Sequence, residues 1–174
     1  MTTLERTQRQ QLEKVIQEAR VVAETAATAV LTELGVGDAV APSHLDNTVK
    51  DLRRRLRIHG RQLGDLRDNL TKSQETVRLK EEIAYEHWHR MLFARFLAEK
   101  NLLMYPDENN PISITLEECE ELAVEQGLNN GWEVAARYAA KMLPQIFRLS
   151  SPVFELKLPK NRLRQLEQLL TSLS

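Results

Sequence analysis

Residues 45–70 read LDNTVKDLRRRLRIHGRQLGDLRDNL. Leu45, Val49, Leu52, Leu56, His59, Leu63, Leu66 and Leu70 follow one another at spacings that alternate four and three. That is the period of a helix burying a narrow stripe against another helix. Ser43 is a suitable N-cap for it. Gly60 and Gly64 fall inside the pattern, where each costs about 1 kcal/mol against alanine. They mark a bend or a place where another backbone comes close.

The preceding stretch has the same period in smaller residues. Leu12, Ile16, Ala19, Ala23, Ala26 and Val30 predict one long helix over residues 2–34, opened by a Thr2/Glu5 capping box and closed by Gly35. Gly37 and Pro42 make the link to the next helix a turn. Two stripe-bearing helices joined by a short turn predict a coiled-coil-like antiparallel hairpin over residues 1–80, with the alanines letting the leucines approach closely. His59 then sits in the seam, where a buried polar group costs stability and sets register.

Residues 81–174 read differently. Ile83, Ala84, Trp88, Met91, Leu92, Phe96 and Leu97 form a wide apolar face of the kind that enters a globular core. A loop follows over residues 103–111. Thr115 and Glu118 make a second capping box, for a helix ending at Gly127. Asn129 or Asn130 caps a helix from Trp132 to Met142, and Pro144 ends it. Residues 153–158 alternate apolar and polar and predict one short extended segment. Pro159 opens a last helix carrying Leu163, Leu166, Leu169, Leu170 and Leu173. The expected fold is therefore all-α: a long helical hairpin, then a compact helical subdomain. Leu52, Leu56, Leu63, Leu66, Trp88, Leu92, Phe96 and Trp132 are its expected core. The abrupt end after the last helix suggests the N-terminal part of a longer protein.

Charge carries the chemistry. The 174 residues hold 24 basic and 25 acidic groups, so no global basic excess marks a nucleic-acid binder. Locally, Lys50, Arg53, Arg54, Arg55, Arg57, Arg61 and Arg67 face only Asp51 and Asp65. Such a stretch is a candidate for sequence-independent contact with DNA phosphates. The plainer alternative is a solvated helix face paired with glutamates of the first helix. No aromatic interleaves, so stacking on single strands is not indicated.

Other candidates fail on spacing. His87 and His89 are two apart and cannot share a helix face, and His44 and His59 stand alone, so no metal site is read. Glu117, Glu118, Glu120, Glu121 and Glu125 suit a helix N-terminus. Cys119 has acidic neighbours that raise its pKa, and a single cysteine fits a reducing, cytoplasmic setting. Gly35-Val36-Gly37 follows a helix rather than a strand, unlike a cofactor loop. No catalytic, cofactor-binding or metal-ligating residue is assigned. No run approaches the ~18 apolar residues of a membrane span. A helix-turn-helix with a basic recognition helix is not seen.

Two stretches are familiar in combination: EHWHRMLFARFLAEKNLL over residues 86–103 and GWEVAARYAAKMLPQIF over residues 131–147, followed by PVFELKLP over residues 152–159. In this order they resemble the N-terminal helical region of large adenine-specific DNA methyltransferases, the type IIG-like enzymes of restriction–modification and of BREX- or DISARM-type phage defence. The resemblance covers residues 80–173, and the first 80 residues share only helical character. It implies a parent enzyme that uses S-adenosylmethionine and flips adenine. The glycine-rich cofactor motif and the Asn-Pro-Pro-aromatic motif are both absent here, since Asn110-Pro111 continues as Ile112-Ser113. What it implies for this chain is a non-catalytic scaffold, DNA-backbone contact or docking module for the rest of the methyltransferase or other defence subunits. The alternative is a free-standing interaction module that forms a homodimer.

Overall fold

In the computed structural model, residues 5–106, 109, 112–128, 131–148 and 150–172 are described. The chain is all-α apart from one tiny hairpin. Its elements are α1 (Arg6–Glu33), α2 (Asn47–Leu63), α3 (Val77–Glu99), β1 (Met104–Tyr105), β2 (Ile112–Ser113), α4 (Leu116–Gln126), α5 (Gly131–Met142), a 3-10 turn (Pro152–Glu155) and α6 (Lys160–Thr171). Thr2, Leu173 and the candidate caps Asn129 and Asn130 lie outside the described residues. At the start of α1, the Glu5 N–H donates to Gln8 Oε1 at 3.2 Å.

The alanine stripe of α1 is buried, but not under α2. Ala19, Ala23, Ala26 and Ala27 are fully buried and join a core with Leu79, Ile83 and Ala84 of α3 and Leu166 and Leu170 of α6. The two helices lying along α1 are α3 and α6, whereas α2 packs on α3 and the 3-10 turn. The expected hairpin is thus replaced by a bundle, and the expected division near residue 80 runs through the main core. The physical reason is complementarity. A groove floored by methyl groups accepts large aliphatic side chains from any neighbour, and α3 and α6 present Leu79, Ile83, Leu166 and Leu170 with no charge among them.

The leucine helix is also shorter than its pattern. Asp46, not Ser43, caps it, accepting from the Val49 N–H at 2.8 Å. Gly64 ends it with φ of 114°, a conformation that costs glycine nothing. Leu66 and Leu70 lie beyond that stop and are 70% and 93% exposed, so Leu66 is not core. Phe96 is likewise exposed. Leu56 and Trp132 are buried, and Leu52, Leu63, Trp88 and Leu92 pack on the core half-covered. Gly60 marks a close approach: a Cβ there would stand 3.1 Å from the side chains of Asp65 and Gln74.

The loop after Gly64 returns to start α3. Buried Asp65 accepts from the Arg78 N–H at 2.8 Å and the Leu79 N–H at 3.1 Å. A carboxylate twelve residues upstream of the helix thus does the work of its N-cap, satisfying two of the four orphan amides. The His59 ring meets Glu82, which ties α2 to α3.

A second core joins the end of α3 to α4 and α5 through Ala94, Leu97, Leu103, Ile114, Cys119, Ala123, Val134 and Ala139. The Thr115/Glu118 capping box forms, with Glu118 N–H to Thr115 Oγ1 at 3.2 Å. Gly131 lets α5 touch α4: a Cβ there would meet the Glu120 backbone nitrogen at 2.7 Å. The expected extended segment at 153–158 is a 3-10 turn over its first half. Leu156 is extended, and Leu156 and Leu158 point inward around exposed Lys157. The strands that do form, β1 and β2, lie within and just after the expected loop over 103–111, pairing antiparallel with Met104 opposite Ser113.

Candidate functional site

The seven cations of residues 50–67 separate into two groups. Arg53 and Arg57 are buried. Arg53 Nε donates to the Gly35 carbonyl at 3.0 Å, and its Nη2 to that of Asp38 at 2.6 Å. Arg57 Nη1 donates to the Val36 carbonyl at 2.8 Å and also to that of Asp38. Its Nη2 reaches the Lys72 carbonyl at 2.8 Å. These carbonyls belong to the turn directly after α1, where the negative end of the helix dipole favours a cation, and to Lys72, held at φ of 64°. Buried Gln74 completes the tie, donating to the Arg57 carbonyl at 2.9 Å and accepting from Arg61 Nη1 at 3.0 Å. Burial draws both guanidiniums below the ordinary arginine pKa, and for Arg57 the nearby Arg53, Arg67 and Arg61 add to it. Both remain cations, since arginine does not deprotonate in proteins.

Arg55 belongs to the structure too. It bonds Asp51 at 3.0 Å and Glu155 of the 3-10 turn at 3.2 Å. The partners of this basic stretch are therefore carbonyls, Asp51 and Glu155, rather than glutamates of α1.

Lys50, Arg54, Arg61 and Arg67 are exposed. Arg54 is shared with Asp51, an exposed pair of small worth. At 100° per residue, Lys50, Arg54 and Arg61 fall within about 40° of one another and span about 16 Å along α2. The site is thus a short ridge of three cations beside the face that Arg53 and Arg57 anchor, with Arg61 also tied to Gln74. Arg67 stands just past the helix end.

The other candidates are occupied. The His87 ring faces the carbonyls of Ile83 at 2.8 Å and Leu156 at 3.4 Å, and burial lowers its pKa to about 4. His89 points elsewhere, stacked on Tyr85 with centroids 4.7 Å apart. Burial, then Glu118 and Glu120, push the Cys119 thiol up to about 11. Among the described residues no group of three histidine, cysteine or acidic side chains comes together as metal ligands do, and no helix is long and apolar enough to cross a membrane. In the Gly35–Gly37 turn, the carbonyls of Gly35 and Val36 are taken by Arg53 and Arg57.

No family model matches the chain, and neither a curated protein nor a solved structure does.

Sequence reading missed Asp65 as the cap of α3 and Arg90 as a cation inside the fold. Arg90 left a signal, since it falls on the stripe of buried His87, Met91 and Ala94.

Proposed function

We propose that this chain is a non-catalytic helical module that grips the DNA backbone for an S-adenosylmethionine-dependent, adenine-specific DNA methyltransferase working in the cytoplasm. The observation that carries it is the ridge of Lys50, Arg54 and Arg61, exposed on a helix fixed by two buried arginines. Cations held in line on a rigid rod engage phosphates with little ordering cost. Support for the methyltransferase link comes from the sequence likeness of residues 86–103, 131–147 and 152–159. These three stretches pack on one another in the fold, as α3 with α5 and α3 with the 3-10 turn. The cofactor and the flipped base belong, in this reading, to a catalytic domain outside these 174 residues.

The test is fluorescence anisotropy of a labelled duplex titrated with the full chain. The variant Lys50→Glu/Arg54→Glu/Arg61→Glu is expected to weaken binding by about tenfold or more at low salt, while circular dichroism stays unchanged. Equal affinity in the two proteins overturns the reading.

A second reading, self-association, is favoured by one feature. Val21 is 63% exposed in an apolar groove between α1 and α6 that also holds Val22 and Leu169. Light scattering of the wild type against Val21→Glu decides it, with a dimer lost in the variant as the supporting result.

A further inference from the structure

A cavity of about 320 Å³ lies between α3, α5, α6 and the segment after the 3-10 turn. Its walls include Met91, Trp132, Phe154, Leu158 and Leu163, and Arg90 stands among them. The size is at the lower end of small-molecule sites, about 300–1,000 Å³. Arg90 is unusual in the fold. Arg53 is held by two carbonyls and Arg57 by three, but among the described residues no hydrogen-bond partner meets Arg90. Its Nε is sealed from solvent and unpaired. Its guanidinium lies 5.0 Å from the centre of the Phe154 ring. A buried donor left without an acceptor costs about 1–3 kcal/mol, more when charged, and with Nε sealed, the Nη groups are the donors that an acceptor in the cavity can meet.

The surrounding charges set its valence. Arg90, Arg137 and Lys157 line the cavity with Glu133 and Glu155. Glu133 lies 3.9 Å from Arg137, and Glu155 is held by Arg55. His87, the remaining titratable lining group, is neutral at ordinary pH. One net positive charge remains among the lining groups, and Glu86, one turn before Arg90 on α3, also draws on that guanidinium from outside the lining, so the charge suits at most a monoanion and leaves a dianion in excess. The planar guanidinium matches a carboxylate bidentately, and Trp132, Phe154 and Met91 suit a flat apolar body.

We infer that this cavity is a binding site for a small aromatic carboxylate, with the carboxylate on Arg90 and the ring among Trp132, Phe154 and Met91. The site is separate from the cation ridge and does not depend on the DNA reading.

The test is ligand-observed fluorine NMR on the full chain, with 4-fluorobenzoate as probe and 4-fluorobenzyl alcohol as its neutral counterpart. The acid is expected to bind with Kd below about 1 mM and the alcohol at least about tenfold more weakly. Two variants report on the pose. Arg90→Gln removes the anchor, and Leu163→Trp fills the space from a half-buried wall position with the guanidinium left in place. Loss of binding in Leu163→Trp, and in Arg90→Gln where circular dichroism shows it folded, supports the assignment. It is overturned by no binding at about 5 mM acid, by equal binding of acid and alcohol, or by retention in Leu163→Trp. Displacement by inorganic phosphate at equal concentration overturns it in favour of a phosphate site.

Discussion

Arg57→Ala is expected to destabilise the fold far more than Arg54→Ala, although the two residues sit three apart in one basic run. Arg57 donates to the carbonyls of Val36, Asp38 and Lys72 from a buried position. Hydrogen bonds from a charged donor contribute about 1.5–3 kcal/mol each, and a buried carbonyl left unpaired costs about 1–3 kcal/mol. Asp38 keeps its bond from Arg53, so two carbonyls are orphaned rather than three. Water reaches the Lys72 carbonyl on its exposed loop, which leaves Val36 as the main loss. The net cost is about 3 kcal/mol. With an m-value of about 2 kcal/mol/M in urea, the midpoint falls by about 1.5 M. Arg54 makes one exposed pair with Asp51, so its removal stays within about 0.5 kcal/mol. Urea unfolding followed by tryptophan fluorescence measures both. Midpoints for the two variants that agree within error would refute the division of the basic run into buried anchoring cations and exposed ones.

Three further outcomes follow from the same geometry. Asp65→Ala removes the remote cap of α3 and is expected to cost about 2 kcal/mol, with the amides of Arg78 and Leu79 exchanging faster by hydrogen-exchange NMR; unchanged exchange at those two amides contradicts it. Gly131→Ala places a methyl against the Glu120 backbone and should cost about 1–3 kcal/mol, lowering Tm by several degrees, whereas Gly64→Ala acts through its positive φ without any clash. His87 is neutral in the fold, with a pKa near 4 against 6.5 unfolded. The unfolded chain therefore binds the extra proton between those values, and His87 costs stability progressively as pH falls from 6.5 to 4, by about 3 kcal/mol. His87→Gln should flatten that part of the stability curve, and an equal slope in the variant would show that His87 does not titrate this way.

What could be read from residues alone was the existence and type of the helices. The Thr115/Glu118 box, Gly35 and Gly127 work as local signals because capping depends on a few adjacent residues. The partner of α1 could not be read, since periodicity shows which face is buried but not what covers it. The stripe of Leu45 to Leu70 misled for a related reason. Gly64 takes a positive φ, and leucines beyond it keep their spacing in sequence while the chain has left the helix. The roles of the arginines were hidden most deeply. Arg53, Leu56, Arg57 and Gly60 form the stripe that α2 buries, a helical period in which two of the four members are charged. The carbonyls turned toward them, those of Gly35, Val36 and Asp38 in the turn after α1 and that of Lys72, make that burial favourable. Once Arg53, Arg55 and Arg57 are set aside, Lys50, Arg54, Arg61 and Arg67 remain of the basic run, and the first three form the candidate ridge.

The salt dependence of DNA binding tests the central claim most directly. Anisotropy titrations of a labelled duplex from about 50 to 200 mM salt give the slope of log K against log salt, with about 0.9 per phosphate neutralised. A ridge of Lys50, Arg54 and Arg61 with Arg67 beside it predicts a slope near −3 to −4 for the wild type, becoming less negative by about 3 in Lys50→Ala/Arg54→Ala/Arg61→Ala. A wild-type slope near zero, or a slope that the triple variant leaves unchanged, would contradict it.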